Sequence, residues 1–436
     1  MKPLKLLFLL ILSFPASAQI QLGADIDGEY SSDGSGYSVS LSSDGTIVAI
    51  GAYYNNGNGS DAGHVRVYED SSGTWVQIGA DIDGEAASDL SGWSVSLSSD
   101  GTIVAIGAVQ NDGNGSSSGH VRIFENVSGT WTQLGADIDG EAAGDQSGYS
   151  VSLSSDGSTV AIGARWNDGN GSNAGHVRVY EYTSGSYSSG SWAQLGADID
   201  GEVAGDYSGY SVSLSSDGTI VAIGATRNNG NGSISGHVRL YEYTSGSWSQ
   251  LGADIDGEAA GDFSGYSVSL SSDGTIVAIG APLNHDNGLY AGHVRLYEYT
   301  SGSWSQLGAD IDGEAAGDRS GYSVSLSSDG KIVAVGAIFN DDNGSNAGHV
   351  RVYEDSSGTW VQLSSDIDGE AAGDWSGYSV SLSSDGKIVA IGATHNDGNL
   401  PGAGHVRAYS ISIPICQDSI QQQPQSNTFY TVPGDA

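Results

Sequence analysis

The sequence specifies an all-β fold, a seven-bladed β-propeller of four-stranded antiparallel blades, and three observations lead there. The first is a repeat marked by one aspartate per copy, at Asp27, Asp83, Asp139, Asp200, Asp256, Asp312 and Asp368, with steps of 56, 56, 61, 56, 56 and 56 residues. The second is the alternation of apolar and small polar residues inside each copy, which has the period of a strand. The third is a split copy. The last repeat lacks the tryptophan-bearing segment that ends the others, and residues 19–26, QIQLGADI, supply that segment at the start of the domain with nothing before it. A first strand that completes the last blade closes a ring, whereas an open solenoid has no use for it.

The copy that begins at Gly252 shows each element. Residues 265–271 alternate Tyr266, Val268 and Leu270 with Ser267, Ser269 and Ser271, which predicts strand a. Asp273-Gly274 is a hairpin turn between two such runs. Residues 275–281, TIVAIGA, are apolar on both faces and rich in β-branched side chains, as a strand covered on both sides should be; this is strand b. An Asn/Gly loop leads to strand c at 293–299, and a Ser-Gly turn leads to strand d at 304–311, which runs through DGEAAGD into the next copy. Small residues crowd strands a and b, while Tyr297, Tyr299 and Trp304 lie on c and d, the distribution expected where blades converge on an axis and splay at a rim. The single long step comes from an inserted Ser/Gly/Tyr stretch before Trp192.

The flanks and the charge bound the setting. Residues 1–18 carry Lys2 and Lys5, an apolar run at 6–14 and Ala16-Ser17-Ala18, the pattern of a secretory signal peptide. The propeller is expected over 19–412, and residues 413–436, with Pro414 and a QQQPQ run, as a linker or the start of a further domain. Cys416 is the one cysteine, so no disulfide forms within the chain and packing carries stability. With 52 acidic and 14 basic side chains the formal charge is −38, which repels nucleic acid and anionic membranes and makes cations expected partners. No stretch after the leader is apolar for long enough to span a bilayer. The expectation is a monomeric propeller, secreted or held at the cell surface, that neither binds nucleic acid nor inserts in a membrane.

These residues resemble the FG-GAP repeats of integrin α-chain propellers and of secreted bacterial proteins. Ser264-Gly265-Tyr266-Ser267 stands where that family has Phe-Gly, Gly280-Ala281-Pro282 is a literal GAP, and the other copies keep its Gly-Ala. The resemblance covers residues 19 to about 412 and implies the propeller fold and a ligand-binding head. It also implies a calcium loop between strands a and b, but here that loop is only residues 271–274, SSDG, with too few oxygens for a six- to eight-coordinate ion.

If strands alternate up and down, the long d–a and b–c loops share one face, and that face carries most of the charge. In the d–a loop, Asp81, Asp83, Glu85 and Asp89 recur in register as Asp137, Asp139, Glu141 and Asp145. Their one-three-five-nine spacing is like that of a loop holding calcium as a cofactor, but the glycine falls at four instead of six, and an Asp-Gly turn with solvated acids is the favoured reading. The seven GHVR motifs, from His64 and Arg66 to His405 and Arg407, hold half of the 14 basic side chains. They read as structural, each pair bonding an acid or carbonyl of its own or the next blade, because an active site rarely appears seven times.

The copies are close to identical except at a few positions, which cluster. One follows the loop aspartate: Leu90, Gln146, Tyr207, Phe263, Arg319 and Trp375. Another is the pair after Gly-Ala, which includes Tyr54, Trp166, Arg227, Phe339 and His395. Both sets fall on the long-loop face, and both are rich in the aromatics and arginine that anchor interfaces. Neutral drift at tolerant loop positions is the competing account. The leading expectation is therefore a binding or adhesion module that recognises an extracellular protein or glycan through this face and is not an enzyme. The alternatives are a calcium-stabilised structural spacer and a hydrolase with its site at the channel mouth. No unique Ser/His/Asp or Glu pair stands out from the repeat background to favour the last.

Overall fold

The computed structural model describes residues 19–184 and 190–412. The leader and linker segments, and part of the insertion before Trp192, lie outside the described residues. Among those described, the regular structure is entirely β, arranged as seven sheets in a ring. Blades 1 to 7 begin at the inner strands Ser38–Leu41, Ser91–Leu97, Ser150–Leu153, Ser208–Leu214, Ser267–Leu270, Ser320–Leu326 and Ser376–Leu382. Blade 2 is representative, with strand b at Ile103–Ala108, strand c at His120–Val127 and strand d at Thr130–Gln133, each antiparallel to the one before.

In blade 7 the fourth-strand position is filled from the start of the described residues. Gln19–Gln21 pairs antiparallel with its strand c, His405–Ile411, in the register Gln19 to Ile411, Ile20 to Ser410 and Gln21 to Tyr409. The two ends of the domain are thus hydrogen-bonded in one sheet, as the split repeat predicts.

Strand d is shorter than its sequence suggests. The segment expected to run from 304 to 311 stops at Gln306, turns through Gly308 at φ +77°, and Ile311–Asp312 pairs back onto the start of strand c. The left-handed glycine interrupts the extended run. Its effect is to carry the d–a loop across the sheet to the mouth of strand c, beside His293.

The serines that alternate along strand a join one blade to the next. Ser38 Oγ donates to the Gly92 carbonyl at 2.8 Å, and its equivalents continue round the ring to Ser379, which donates to Gly36. One level down, the Leu97 amide donates to Ser40 Oγ at 2.9 Å, and this too is repeated seven times until Leu41 donates to Ser381. At the short-turn end, seven backbone bonds form a third circuit from Ser43 N to Ser99 O through to Ser384 N and Ser43 O. The polar half of the strand's alternation therefore lies in the seams between blades.

The apolar half builds the core, which is divided into seven clusters that each straddle two blades. One of them combines Ala49, Val65 and Val67 of blade 1 with Val95, Leu97, Val104, Ile106 and Phe124 of blade 2. At the rim, the strand d tryptophans reach back to the preceding blade, as where Trp304 Nε1 donates to the Leu251 carbonyl at 2.7 Å. Blade 7 has no such tryptophan, and there Gln19 Nε2 donates to the Asp366 carbonyl at 3.0 Å.

Two glycines show how close the blades come. A Cβ on Gly51 would lie 2.1 Å from the Gly92 carbonyl oxygen, and Gly63, at φ +73°, would place one 2.1 Å from the Ser91 oxygen. Replacing Ser269 by alanine removes the acceptor of the Leu326 amide, 3.0 Å away in the next blade. The expected cost is about 1–3 kcal/mol. It should be read as a lower urea midpoint with unchanged slope, while alanine at the exposed turn residue Ser71 leaves the midpoint in place.

Candidate functional site

The strand directions put the d–a and b–c loops on one face around the channel, and the backbone fixes how they meet. The buried Asp89 is the pivot of its blade. Its Oδ2 accepts from the Ala86 amide at 2.9 Å and from Asn111 Nδ2 at 3.2 Å, while its carbonyl accepts from the Gln110 amide. Equivalent bonds run from Trp166 to Asp145, Arg227 to Asp206, Phe339 to Asp318 and His395 to Asp374. Each bond places one variable residue beside the variable residue that follows the aspartate. The two variable sets of the sequence are thus one belt around the mouth.

Within that belt, Arg227 lies over Tyr207 at 4.5 Å and Arg319 over Phe339 at 4.6 Å. Phe339 meets Trp375 at 5.2 Å and Trp375 meets His395 at 3.9 Å, so four of the candidate binding residues form a continuous arc across blades 6 and 7. Tyr54 packs on Tyr53 at 3.9 Å, and Trp166 lies under Arg165 at 4.7 Å. Phe263 is half-buried on blade 5, away from these groups.

What the sequence reading missed is the floor of the mouth. Tyr37, Trp93, Tyr149, Tyr210, Tyr266, Tyr322 and Tyr378, one from the start of each inner strand, form a closed aromatic ring with neighbouring centroids 4.8–5.5 Å apart. Aromatics are therefore not confined to strands c and d. They also stand at the axis, because the residue just before the first seam serine of strand a lines the channel while that serine enters the seam. Above the ring, Arg165 sits 3.7 Å over Tyr149 and its Nη2 donates to Gln146 Oε1 at 3.2 Å, while Tyr53 packs on Tyr37 at 4.2 Å. A recess of about 240 Å³ lies at the ring itself and further into the channel, lined by the seven aromatics and by the serine and valine that follow each, such as Ser38 and Val39.

The candidate metal residues separate. Asp81 accepts from Gln77 Nε2 at 2.7 Å and faces His64 of its own blade at 3.8 Å. Asp83 is exposed, and its carbonyl accepts from Arg122 Nη2 at 2.6 Å. Glu85 turns to the next blade, 3.8 Å from both His120 and Arg122 and grouped with Asp137. Asp139, Glu141 and Asp145 repeat this division, with Glu141 at His176 and Arg178. No single d–a loop gathers its four acids. The structure instead brings a glutamate, a histidine and an aspartate together at the seam, close enough to hold a metal ion.

The GHVR pairs are buried, and each arginine donates to the preceding blade's loop carbonyl at 2.6–2.7 Å as expected. The histidines depart from the expectation: they stand 3.7–3.9 Å from the nearest acids, too far for a hydrogen bond, and at least one ring nitrogen of each is left without a partner. Burial, reinforced by the nearby arginine, holds the imidazoles of His64, His176, His237 and His405 down at about 4, so they are neutral near pH 7.

The FG-GAP repeat family matches residues 77–124, 137–180, 254–297 and 310–353. This chain carries FG-GAP repeats. The glycines of the FG-GAP pattern are the ones at which neighbouring blades touch, Gly51 against Gly92 and their equivalents. In a sequence search no curated protein matches. Solved structures similar to it include a Kuenenia stuttgartiensis hydrazine synthase, at 13% identity and TM-score 0.52, covering 85% of this chain and 94% of that one. A Bacteroides uniformis protein described as a 6-phosphogluconolactonase gives 14% identity and TM-score 0.51, covering 76% and 85%. A Pseudomonas aeruginosa periplasmic gluconolactonase gives 18% and 0.52, covering 77% and 85%. At these identities the likeness is one of fold.

The expectation that the FG-GAP chain is not an enzyme is corrected by these neighbours, since propellers of the same fold are described as lactonases and a synthase. The expectation looked for an acid–base cluster standing apart from the repeats. At the variable loop positions of blade 7, Thr394 Oγ1 and His395 Nδ1 lie 2.9 Å apart.

Burial raises the ring phenols of Tyr37, Tyr149, Tyr266 and Tyr378 well above their ordinary value, and shifts Tyr210 and Tyr322 the same way. A group raised on folding stabilises fully below its unfolded value, about 10, and loses that contribution as pH rises through the folded one. The aromatic ring should therefore resist ionisation until it opens. In an alkaline titration, tyrosinate absorbance from the ring should appear together with loss of the β-sheet circular dichroism signal rather than before it.

Proposed function

We propose that this chain is an extracellular recognition propeller that binds a saccharide at the channel mouth of its long-loop face. One observation carries the reading. The variable residue after the loop aspartate has a left-handed backbone, with φ between 55° and 60°, at Leu90, Gln146, Tyr207, Phe263, Arg319 and Trp375. Blade 1 has Gly34 there, at φ 64°. For a side chain this conformation costs on the order of 1–2 kcal/mol that glycine avoids, yet six blades keep one, and three of the six are aromatic. Retained strain points to use at the surface.

The chemistry of the mouth suits sugars. Aromatic faces stack on the apolar faces of pyranose rings, and Arg165, Arg227 and Arg319 make no ion pair among the described residues while lying over aromatics. Three such cations on a chain of net charge −38 favour a ligand bearing hydroxyl or carboxylate oxygens. Calcium in the d–a loop is not part of this proposal, because Asp89 is engaged in the loop scaffold and Glu85 faces the next blade. A second reading, hydrolysis of a small sugar-derived ester at the same mouth, draws on the lactonase descriptions of two structural neighbours and on the Thr394–His395 pair.

Glycan-array binding followed by calorimetry tests the first reading. Trp375→Ala and Arg165→Ala should each weaken binding about tenfold or more, the loss of roughly 1.4 kcal/mol or more at a hot spot. Binding unchanged in both variants contradicts it. Turnover of gluconolactone that His395→Ala abolishes would establish the second reading in its place.

A further inference from the structure

Two seams differ from the other five. Glu258, Asp286, His293 and Asp310 each place one donor atom within 4.8 Å of the others, and Glu314, Asp342, His349 and Asp366 do the same. Asp286 and Asp342 create the fourth member. They stand in the b–c loop where the other five repeats have Gly57, Gly113, Gly169, Gly230 and Gly398. The loop itself does not require them, since the Asp286 amide donates to Asn284 Oδ1 just as the Gly57 amide donates to Asn55 Oδ1. They add a carboxylate beside two others, and the Glu258 carboxyl is pushed up by burial and by Asp310 and Asp286 despite Arg295.

The histidines make the clusters more than acidic patches. His293 is 1% exposed and His349 is 0% exposed, and the Nδ1 of each has no hydrogen-bond partner. Each Nδ1 is aimed at two carboxylates, 3.7 Å from Glu258 Oε2 and 3.7 Å from Asp310 Oδ2 in one seam, 3.9 Å and 3.8 Å from Glu314 and Asp366 in the other. Those gaps are too long for hydrogen bonds. Two donors about 2.1 Å from one ion at the tetrahedral angle lie about 3.4 Å apart, so the imidazole–carboxylate gaps need only a few tenths of an ångström to close on a shared ion, with the remaining donor pairs, all within 4.8 Å, drawing in further.

From this we infer that the seams between blades 4 and 5 and between blades 5 and 6 each bind a divalent first-row transition ion through one imidazole and three carboxylates. Calcium takes oxygen ligands alone. A neutral imidazole among carboxylates suits zinc or manganese. The ion would neutralise carboxylates from two consecutive blades and so tie them together.

The test uses the full chain, stripped with EDTA and dialysed against zinc chloride or manganese chloride, with retained metal counted by mass spectrometry. The expected result is two ions per chain, not displaced by a tenfold excess of calcium chloride. The double variant Asp286→Gly/Asp342→Gly restores the residue of the other five repeats, and its unchanged circular dichroism spectrum would show that it folds. It should bind at least tenfold more weakly. Retention of neither metal by the wild type, equal binding by the double variant, or displacement by calcium would each overturn the inference.

Discussion

The structure depends on the seam between consecutive blades. A single four-stranded sheet of this composition cannot bury both faces, and the seven cores each draw on two blades. What makes the seam specific is its polar side. Three circuits of hydrogen bonds run round the channel through strand a, two of them using serine hydroxyls. A buried amide or hydroxyl left without its partner is costly, so each blade is held in register by the next. The glycines at the contact have no room for a side chain and keep the two backbones close. The GHVR arginine adds a bond to the preceding loop, and the rim tryptophan another.

A ring built from equal seams leaves its upper face free to vary. The aspartate that locks the two long loops is common to all blades, while the residues on either side of its carbonyl bond are not. The repeat thus supplies a rigid platform on which a few side chains change without disturbing the seam. The aromatic floor lines a recess at the axis, while Arg165 and the arc of Arg319, Phe339, Trp375 and His395 stand outside that lining, on the long-loop side. The same logic applies on a smaller scale to Asp286 and Asp342, two departures from glycine in loops whose backbone bonding is otherwise preserved.

The fold was legible because period, alternation and the displaced last strand are local signals repeated seven times. The breaks were less so. Strand d ends early at a left-handed glycine, and nothing in its alternation marks that turn. The variable residues were identifiable as a set, but their pairing rests on a backbone bond between two loops, as from Arg227 to Asp206. The aromatic ring was hidden in plain repetition, because Tyr266 fits a strand pattern whether it faces the channel or a core. The loop acids misled in a similar way. Sequence spacing placed Asp81, Asp83, Glu85 and Asp89 in one shell, whereas the seams, which no single repeat encodes, assign Asp81 and Glu85 to different blades.

The most direct test of the closed ring is native-state hydrogen exchange of the chain's first described strand against the strand it completes. If the ring is sealed as here, the amides of Ile20 and Leu22, which face the strand they complete, Leu22 on the Ala408 carbonyl at 2.8 Å, should be protected to a degree comparable with those of His405–Ile411. Exchange of Ile20 and Leu22 at the rate of unstructured chain, with His405–Ile411 still protected, would contradict the account.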